Sequence, residues 1–452
     1  MAQDVAHYVG TNSCAAASCH GGARQGPRWT TSYSEWVQRD RHAHAYTVLL
    51  GMRSQRMARA LNLKQPAHRS AICLNCHALP PTPGGGTTHH AKLATDGVSC
   101  EACHGPASLW IDRHMRADWG RVTPAERHAL HFFDTGDVAV RTRACAGCHV
   151  GGPGRDVNHD LIAAGHPRLN FEMAAYHANM AHHWDDQSDE KRHSGRVVSD
   201  GQSLRELKLW AVGQVETLRA RVELSRWRAS TAEAPWPELA ETRCFACHHD
   251  LRDASWRRGG ARNPGQLPWA TWERAMSSAV AVIGPADERV GLALGAVDKV
   301  TRAVAPDRKT MIAATGKLAA SLEAWSASLN SVELTLDDLE SVTRQLASAT
   351  LKDSPRDWDQ AAQLYLALSS LQVARQKATG LTSERDRQID QALQEALPKM
   401  RGTLRFPVGL DSAGQLRNPV AKPAGIPAAL RQFDAAARAV HTAVMNNEGA
   451  RR

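Results

Sequence analysis

Apolar residues recur at helical spacing through most of the second half of the chain. They return every three or four positions, which is the pattern of a helix with one buried face. The periodic segments are residues 286–304, 308–328, 335–350, 383–400 and 428–446, with a further helix that begins at Ser354 and Pro355. We predict that these segments form an antiparallel helical bundle over residues 285–452.

A longer periodic segment precedes the bundle. Ser203-Leu-Arg-Glu206 has the spacing of a helix-opening capping box, and the apolar residues after it predict a helix to about Trp227. The stretch from Arg257 to Pro268 is rich in Gly, Pro and Arg, which is typical of a connection between domains. We therefore predict an all-α chain, with a loop-rich first domain over residues 1–255, a linker over residues 256–284, and the bundle.

The composition is that of a folded protein. Of the 452 residues, 42% are hydrophobic and 22% are charged, so the chain can bury a core and does not belong to the disordered class. It has no run of about 18 consecutive apolar residues, and we expect no membrane span. The first residues lack the basic and apolar regions of a signal peptide. Export would therefore need a signal peptide that is not in this sequence.

Cysteine and histidine are concentrated in the first part of the chain. All 10 cysteines and 21 of the 22 histidines precede position 250. The cysteines form five pairs, and a histidine directly follows the second cysteine of every pair, which chance does not produce. The segments are Cys14-Ala-Ala-Ala-Ser-Cys19-His20, Cys73-Leu-Asn-Cys76-His77, Cys100-Glu-Ala-Cys103-His104, Cys145-Ala-Gly-Cys148-His149 and Cys244-Phe-Ala-Cys247-His248.

Two closely spaced thiols followed by an imidazole are the signature of covalent haem attachment. The thiols add to two vinyl groups on one porphyrin edge, and the adjacent histidine coordinates the iron. The first segment has four residues between its cysteines where the others have two, so these residues must loop out. We predict five c-type haems attached through all ten cysteines. The proximal ligands would be His20, His77, His104, His149 and His248.

Three other uses of cysteine fit the pattern less well. Disulfides would leave the five following histidines without a role, and a chain of this length does not need them for stability. Zinc needs four converging ligands, and a histidine directly after the second cysteine points poorly towards such a metal. A thioredoxin-like redox site would use a single Cys-x-x-Cys motif beside a βαβ unit.

The formal net charge of +9 could indicate a nucleic-acid partner. Haem propionates offset much of this charge, because five ferric haems would add about five negative charges. The chain also has no basic stretch interleaved with aromatic residues. We therefore expect redox proteins as partners, and no nucleic acid.

Histidines outnumber the attachment segments. Of the 17 that do not belong to these segments, 16 lie in the haem-bearing region, which indicates irons with a histidine on both faces. His42, His114, His159 and His166 are placed to act as distal ligands. His159 and His166 are seven residues apart, so on one helix they would stand about 10 Å apart and suit two neighbouring haems.

These features resemble the cytochrome c-554 family of multihaem c-type cytochromes. The resemblance covers about residues 8–250 and depends on the order of the motifs and on three segments. The segments are Ser34-Glu-Trp with Arg39-Asp-Arg-His42-Ala, Asp96-Gly-Val-Ser-Cys-Glu-Ala-Cys-His-Gly-Pro106, and Asn158-His-Asp-Leu-Ile-Ala-Ala-Gly-His-Pro-Arg-Leu169. The resemblance implies that His42 ligates the haem of His104 and that His114 ligates the haem of His20. It also implies that His159 and His166 serve the fourth and fifth haems.

The second haem, attached at His77, is the one whose counterpart in this family can lack a distal ligand. Spare side chains of this chain could still fill its sixth position, and among them we favour His183. The other candidates are His68, His89, His90, His177, His182, Met115 and Met180.

Irons with both axial positions filled by protein cannot bind a substrate, but they can pass electrons to one another. We therefore expect electron transfer through mostly bis-histidine haems, at mainly low reduction potentials. The alternative is a haem enzyme that acts on a small nitrogen or sulfur oxyanion or nitric oxide at an open His77 iron. No Cys-x-x-Cys-Lys motif is present, which argues against the lysine-ligated site of pentahaem nitrite reductases.

The cellular location follows from the chemistry of attachment. Bacteria attach haem to reduced thiols outside the cytoplasm, so we expect a periplasmic or extracellular protein. The helical bundle carries no recognisable nucleophile, phosphate loop or metal spacing. We expect it to cover haems, or to dock the chain as a subunit of a larger complex.

Overall fold

The computed structural model describes most of the chain. The described residues are 5–22, 27–79, 93–185, 204–244, 247, 268–284, 288–303, 305–352, 358–404 and 426–446. Within them the secondary structure is helical apart from two isolated bridges, Gly152 with Arg155 and Thr242 with Trp269. The prediction of an all-α protein is therefore confirmed. Among these helices, none combines the length and the apolar character that crossing a bilayer requires.

The chain divides into two compact units. One consists of Met1–His166 and Tyr176–Val197, and the other of Pro167–Ala175 and Val198–Arg452. Four attachment segments therefore belong to the first unit, and the segment that begins at Cys244 belongs to the second. The domain boundaries at residues 255 and 284 stay predictions.

The helices of the first unit are short. They are α1 (Ser32–Arg39), α2 (Met52–Ala60), α3 (Ala71–His77), α4 (Cys100–His104), α5 (Pro124–Ala129), α6 (Val138–His149) and α7 (His159–Ala163), followed by α8 (Met173–Asn179). Side chains cap several of these helices, as the sequence at their first residues allows. Asp137 accepts a hydrogen bond from the backbone of Val140 at the start of α6, and Asn158 accepts one from Leu161 at the start of α7.

A close backbone approach fixes the segment that precedes α4. Gly97 has a φ of 71°, and a Cβ atom there would lie 2.6 Å from the carbonyl oxygen of His42. The neighbouring Val98 donates a backbone hydrogen bond of 3.0 Å to that same oxygen. Only glycine permits this contact, so the Asp96-Gly-Val segment holds the backbone of His42 in place.

The second unit is built from longer helices. They are α9 (Arg205–Ser230), α10 (Ser277–Val280), α11 (Glu288–Thr301), α12 (Arg308–Ser331), α13 (Leu336–Lys352), α14 (Trp358–Thr379), α15 (Glu384–Leu404) and α16 (Ile426–Asn446). The prediction of helices in these segments is confirmed, whereas the predicted cap at Ser203 and helix start at residues 354–357 lie outside the described residues. Helix α9 packs against α10, α12 and α14, and α16 packs against α13 and α15.

Helix α9 buries charged side chains as well as apolar ones. Its apolar residues Leu207, Leu209 and Trp210 are fully buried. Arg228 is also fully buried and donates a 2.6 Å hydrogen bond to Glu241, while Arg221 donates one of 2.8 Å to Glu273. A buried charge costs several kcal/mol unless it is paired, so each of these arginines depends on its carboxylate.

The short segment Pro167–Ala175 packs into the second unit. Arg168 forms a two-bonded ion pair with Asp359, at 2.8 and 3.1 Å, and the indole of Trp272 donates to the carbonyl oxygen of Phe171 at 2.7 Å. Met173 lies against Gly213 of α9 so closely that a Cβ atom on that glycine would be 2.5 Å from the Cβ of Met173. The segment is therefore an integral part of this core.

Candidate haem sites

Three attachment segments end a short helix of the first unit. Helix α3 ends at His77, α4 at His104 and α6 at His149. Cysteines three residues apart lie on the same face of a helix, which is the arrangement that two thioether bonds to one porphyrin edge require. None of the ten cysteines forms a disulfide, so each pair retains both sulfurs for attachment.

The first segment accommodates its two extra residues in a turn. The backbone of Ala16 accepts hydrogen bonds from Cys19 at 2.9 Å and from Gly21 at 3.0 Å. These bonds fold the intervening residues back and place His20 directly after the turn. The departure from the two-residue spacing therefore has a local structural basis.

Backbone carbonyl groups orient two of the proximal histidines. The Nδ1 atom of His20 donates to the carbonyl oxygen of Trp29 at 2.7 Å, and that of His77 donates to Ala45 at 2.9 Å. A carbonyl oxygen can only accept, so Nδ1 carries the proton in both rings. The lone pair of Nε2 is then available to a metal, which is the arrangement found in metal-binding histidines.

His20 and His114 form the first pair of facing imidazoles. Their ring centroids are 6.2 Å apart and their planes differ by 12°. Two imidazoles that bind one iron from opposite faces, with metal–nitrogen bonds of about 2 Å, have centroids about 6 Å apart. His114 also donates from Nδ1 to the carbonyl oxygen of Ile111 at 2.5 Å. The pair fits a bis-histidine haem at the first segment, as the resemblance implies.

His77 and His166 form a second pair. Their centroids are 6.5 Å apart, with planes at 87°. Arg53 of α2 donates from Nε to the carbonyl oxygen of Gly165 at 3.2 Å, which holds the loop that carries His166. This placement differs from the expectation that His166 serves the fourth or fifth haem and that His183 serves the second. The chain turns back after α7, and this turn brings His166 to His77.

His42 and His149 form a third pair, with centroids 6.0 Å apart and planes at 77°. The structure therefore favours the fourth segment as the partner of His42, whereas the resemblance implied the third. His42 donates from Nδ1 to the Oδ1 atom of Asp40 at 2.9 Å. Burial by itself raises the pKa of Asp40, but the hydrogen bond and the charge of His42 outweigh burial and lower it.

His104 is the attachment histidine of the third segment, and the charge of His183 acts on it. Burial, followed by the charges of His183 and Arg141, lowers the pKa of His104 to about 4, so that its ring is neutral at pH 7. Burial also lowers the pKa of His183, in spite of a backbone hydrogen bond with Ala181. The role of His183 as a distal ligand stays a prediction.

Contacts between thiols order the four segments of the first unit. A hydrogen bond from Cys100 lowers the pKa of Cys14, and one from Cys76 lowers that of Cys148 to about 6. Burial, with added charge from Cys145 and Cys148, raises the pKa of Cys103 to about 12. The first segment thus neighbours the third, the third neighbours the fourth, and the fourth neighbours the second.

One family model matches this part of the chain. Residues 13–105 match the model described as cytochrome c554 and c-prime. The chain is a c-type cytochrome that resembles this family. No curated protein and no solved structure matches the chain. The match contains the first three cysteine pairs of the cytochrome, and covalently bound haem c is the cofactor that it implies.

The other histidines proposed for the second haem have different surroundings in this cytochrome. The ring of His68 lies edge-on to Tyr46. The Nε2 atom of His177 lies 2.7 Å from a guanidinium nitrogen of Arg141, and the Nε2 atom of His182 donates to the carbonyl oxygen of His177 at 3.0 Å. His89 and His90 lie outside the described residues.

The contacts assign no role to three further candidate ligands, Met115, Met180 and His159. Met115 is exposed, and Met180 is half-buried. His159 opens α7 and is half-buried, and its role as a distal ligand stays a prediction.

The fifth attachment segment is described in part. Cys244 is half-buried and Cys247 is exposed, while His248 lies outside the described residues. Its function as a fifth haem site stays a prediction.

Sequence reasoning did not single out two charged residues of this region. Asp40 is 4% exposed and contacts His42, and Arg141 is 8% exposed and contacts His177. The position of Asp40 two residues before a candidate ligand was a usable signal. The position of Arg141 one helical turn before Cys145 was another.

Proposed function

We propose that the protein carries five covalently attached c-type haems, most of them bis-histidine ligated, and that it transfers electrons between redox partner proteins. The observation that carries the proposal is the spacing of three imidazole pairs, 6.0–6.5 Å between centroids. Each pair joins one attachment histidine to a histidine from elsewhere in the first unit. Such a pair would hold an iron from both faces, and electron transfer would then be the chemistry that the haem supplies.

The distal ligands in this proposal are His114, His166, His42 and His183, for the first, second, fourth and third segments respectively. The contacts between thiols support a continuous sequence of neighbours, from the first segment through the third and fourth to the second. Electrons would move along this sequence. The fifth segment, in the second unit, would hold the remaining haem.

The enzymatic alternative requires an open iron at His77. The ring of His166 at 6.5 Å from that of His77 favours a filled sixth position instead. We therefore propose an electron carrier without substrate chemistry at iron. Axial imidazoles on both faces stabilise ferric iron better than a methionine ligand does, so the potentials should be mainly low.

The proposal includes a location and a role for the second unit. Because bacterial haem attachment takes place outside the cytoplasm, the protein would act in the periplasm or outside the cell. The long helices of the second unit would present a surface through which the cytochrome joins a larger complex.

One set of measurements tests the proposal. The purified holoprotein is examined by optical and EPR spectroscopy, oxidised and then reduced with dithionite, with and without carbon monoxide, and its haem content is measured per chain. We expect five low-spin haems and no response to carbon monoxide. One high-spin haem that binds carbon monoxide would favour the enzyme instead. A Cys244→Ala, Cys247→Ala double variant is the matched control for the count and should hold four haems.

A further inference from the structure

A buried carboxylate lies beside a histidine of the proposed fourth haem site. Asp40 precedes His42 by two residues and is only 4% exposed. A charge in such a place acts through a low dielectric, where its effect on a nearby iron is larger than it would be in water.

Asp40 is bonded directly to a candidate iron ligand. Its Oδ1 atom accepts hydrogen bonds of 2.9 Å from both the ring Nδ1 and the backbone nitrogen of His42. Its Oδ2 atom is buried without a hydrogen-bond partner among the described residues. By contrast, the Nδ1 atoms of His20, His77 and His114 donate to uncharged carbonyl groups.

A carboxylate on Nδ1 changes what the ring does to iron. It pulls the proton from Nδ1 and makes Nε2 a stronger donor, and its own negative charge lies close to the metal. Both effects stabilise ferric over ferrous iron. The His42–His149 site should therefore have a lower reduction potential than a site whose rings donate to carbonyl groups.

We infer that Asp40 makes the fourth haem an electron donor to its neighbours, by lowering the potential at His42–His149 below that of the sites at His20–His114 and His77–His166. The inference deepens the proposed function and depends on it. An electron that a redox partner supplied to the fourth haem would pass on to a haem of higher potential, so that the fourth haem would be oxidised and its neighbour reduced. No bond would form or break.

The test compares charge-removing variants of the full holoprotein by potentiometric titration, followed by optical and EPR spectroscopy. Asp40→Asn keeps the shape and can still accept from His42. We expect the lowest reduction potential in the titration to rise. The redox equilibrium constant should change at least tenfold, which corresponds to about 59 mV for one electron. A His42→Met variant assigns the signal of the fourth haem.

A matched control separates this effect from a general change of charge. Asp118→Asn removes the same charge at an exposed ion pair of the first unit, and it should change the redox equilibria by less than threefold from the wild type. If Asp40→Asn does not assemble, Asp40→Ser can still accept from the backbone nitrogen of His42 and gives the same expectation.

The outcomes separate this inference from the proposed function. The variants could retain all haems as low-spin centres that do not bind carbon monoxide, with reduction potentials that shift no more than those of the control. That result overturns the inference and leaves the electron carrier standing. A shift in the opposite direction also overturns it. If the wild-type protein itself binds carbon monoxide at iron, the proposed function fails before the variants are compared.

Discussion

The imidazole rings of His77 and His166 face each other at 6.5 Å, with their planes at 87°. His77 is fixed by its hydrogen bond to Ala45, and the loop of His166 is fixed by Arg53. This relationship favours a filled sixth position at the proposed second haem. It is therefore the first contact to test.

Replacing His166 by Ala should open the iron of the second haem. The variant should gain one high-spin haem per chain that binds carbon monoxide when reduced, because no side chain then fills the sixth position. The measurement is a carbon monoxide titration of the reduced protein. His68→Ala is the control and should bind none, and carbon monoxide binding by this control alone would assign the sixth ligand to His68.

Imidazole plane angles predict two kinds of EPR signal. When the two imidazole planes are parallel, the iron d orbitals that overlap with the rings differ in energy. When the planes are perpendicular, these orbitals have nearly the same energy and the EPR signal is more anisotropic. The His20–His114 haem, at 12°, should give the rhombic signal, and the pairs at 77° and 87° the strongly anisotropic ones. Loss of the rhombic signal in His114→Met is the expected result. Loss of a strongly anisotropic signal instead would contradict the assignment.

Glu172 should make the stability of the second unit depend on pH. Burial raises the pKa of this carboxyl in spite of hydrogen bonds from the backbone of Ala174 and Ala175. A raised pKa means that the folded state favours the protonated form. This preference makes its full contribution to stability at pH values below the pKa of the carboxyl in the unfolded state, about 4.3. The contribution is lost as the pH rises through the pKa of the carboxyl in the folded state.

Urea denaturation of wild type and Glu172→Gln at several pH values measures this effect. The difference in unfolding free energy should grow in favour of the variant as the pH rises above about 4.3 and then level off. A difference that is constant with pH would show that Glu172 does not titrate in this way.

The ion pair between Arg168 and Asp359 should be essential to the second unit. Asp359 is fully buried, and it also accepts a hydrogen bond from Thr271. Asp359→Ala leaves a buried cation unpaired and should cost about 3–5 kcal/mol of unfolding free energy. Lys377→Gln at the exposed pair with Glu206 is the control and should change the stability little. Comparable losses in the two variants would contradict the argument.

The sequence predicted the helices and the attachment chemistry for local reasons. The helices of the second unit follow the apolar period of their own residues, so α9 and the five periodic segments of the bundle were found. The attachment segments could be proposed because two thiols and an imidazole must be adjacent in the chain to bind one haem edge. Each of these two signals is contained in residues that are close together in the chain.

The pairing of histidines is not a local property. His42 reaches His149, and His166 reaches His77, because of the path that loops take between short helices. One determinant is Gly97, whose missing side chain lets the backbone approach His42. No spacing in the sequence encodes such an approach, so the resemblance assigned His42 and His166 to other segments. Candidate ligands can therefore be proposed from the sequence, whereas their pairing depends on the folded path of the chain.

The segment Pro167–Ala175 has a consequence for how the protein is made. It is synthesised before most of the second unit, yet its Arg168 must find Asp359, 191 positions later in the chain. Closing so long a loop is entropically costly and slow, so the core around this segment is completed late. A nascent chain would have time to acquire haem in the first four segments while Arg168 still lies in water. Premature chain termination before residue 359 would leave that arginine without its carboxylate, and the released fragment would be a substrate for proteases.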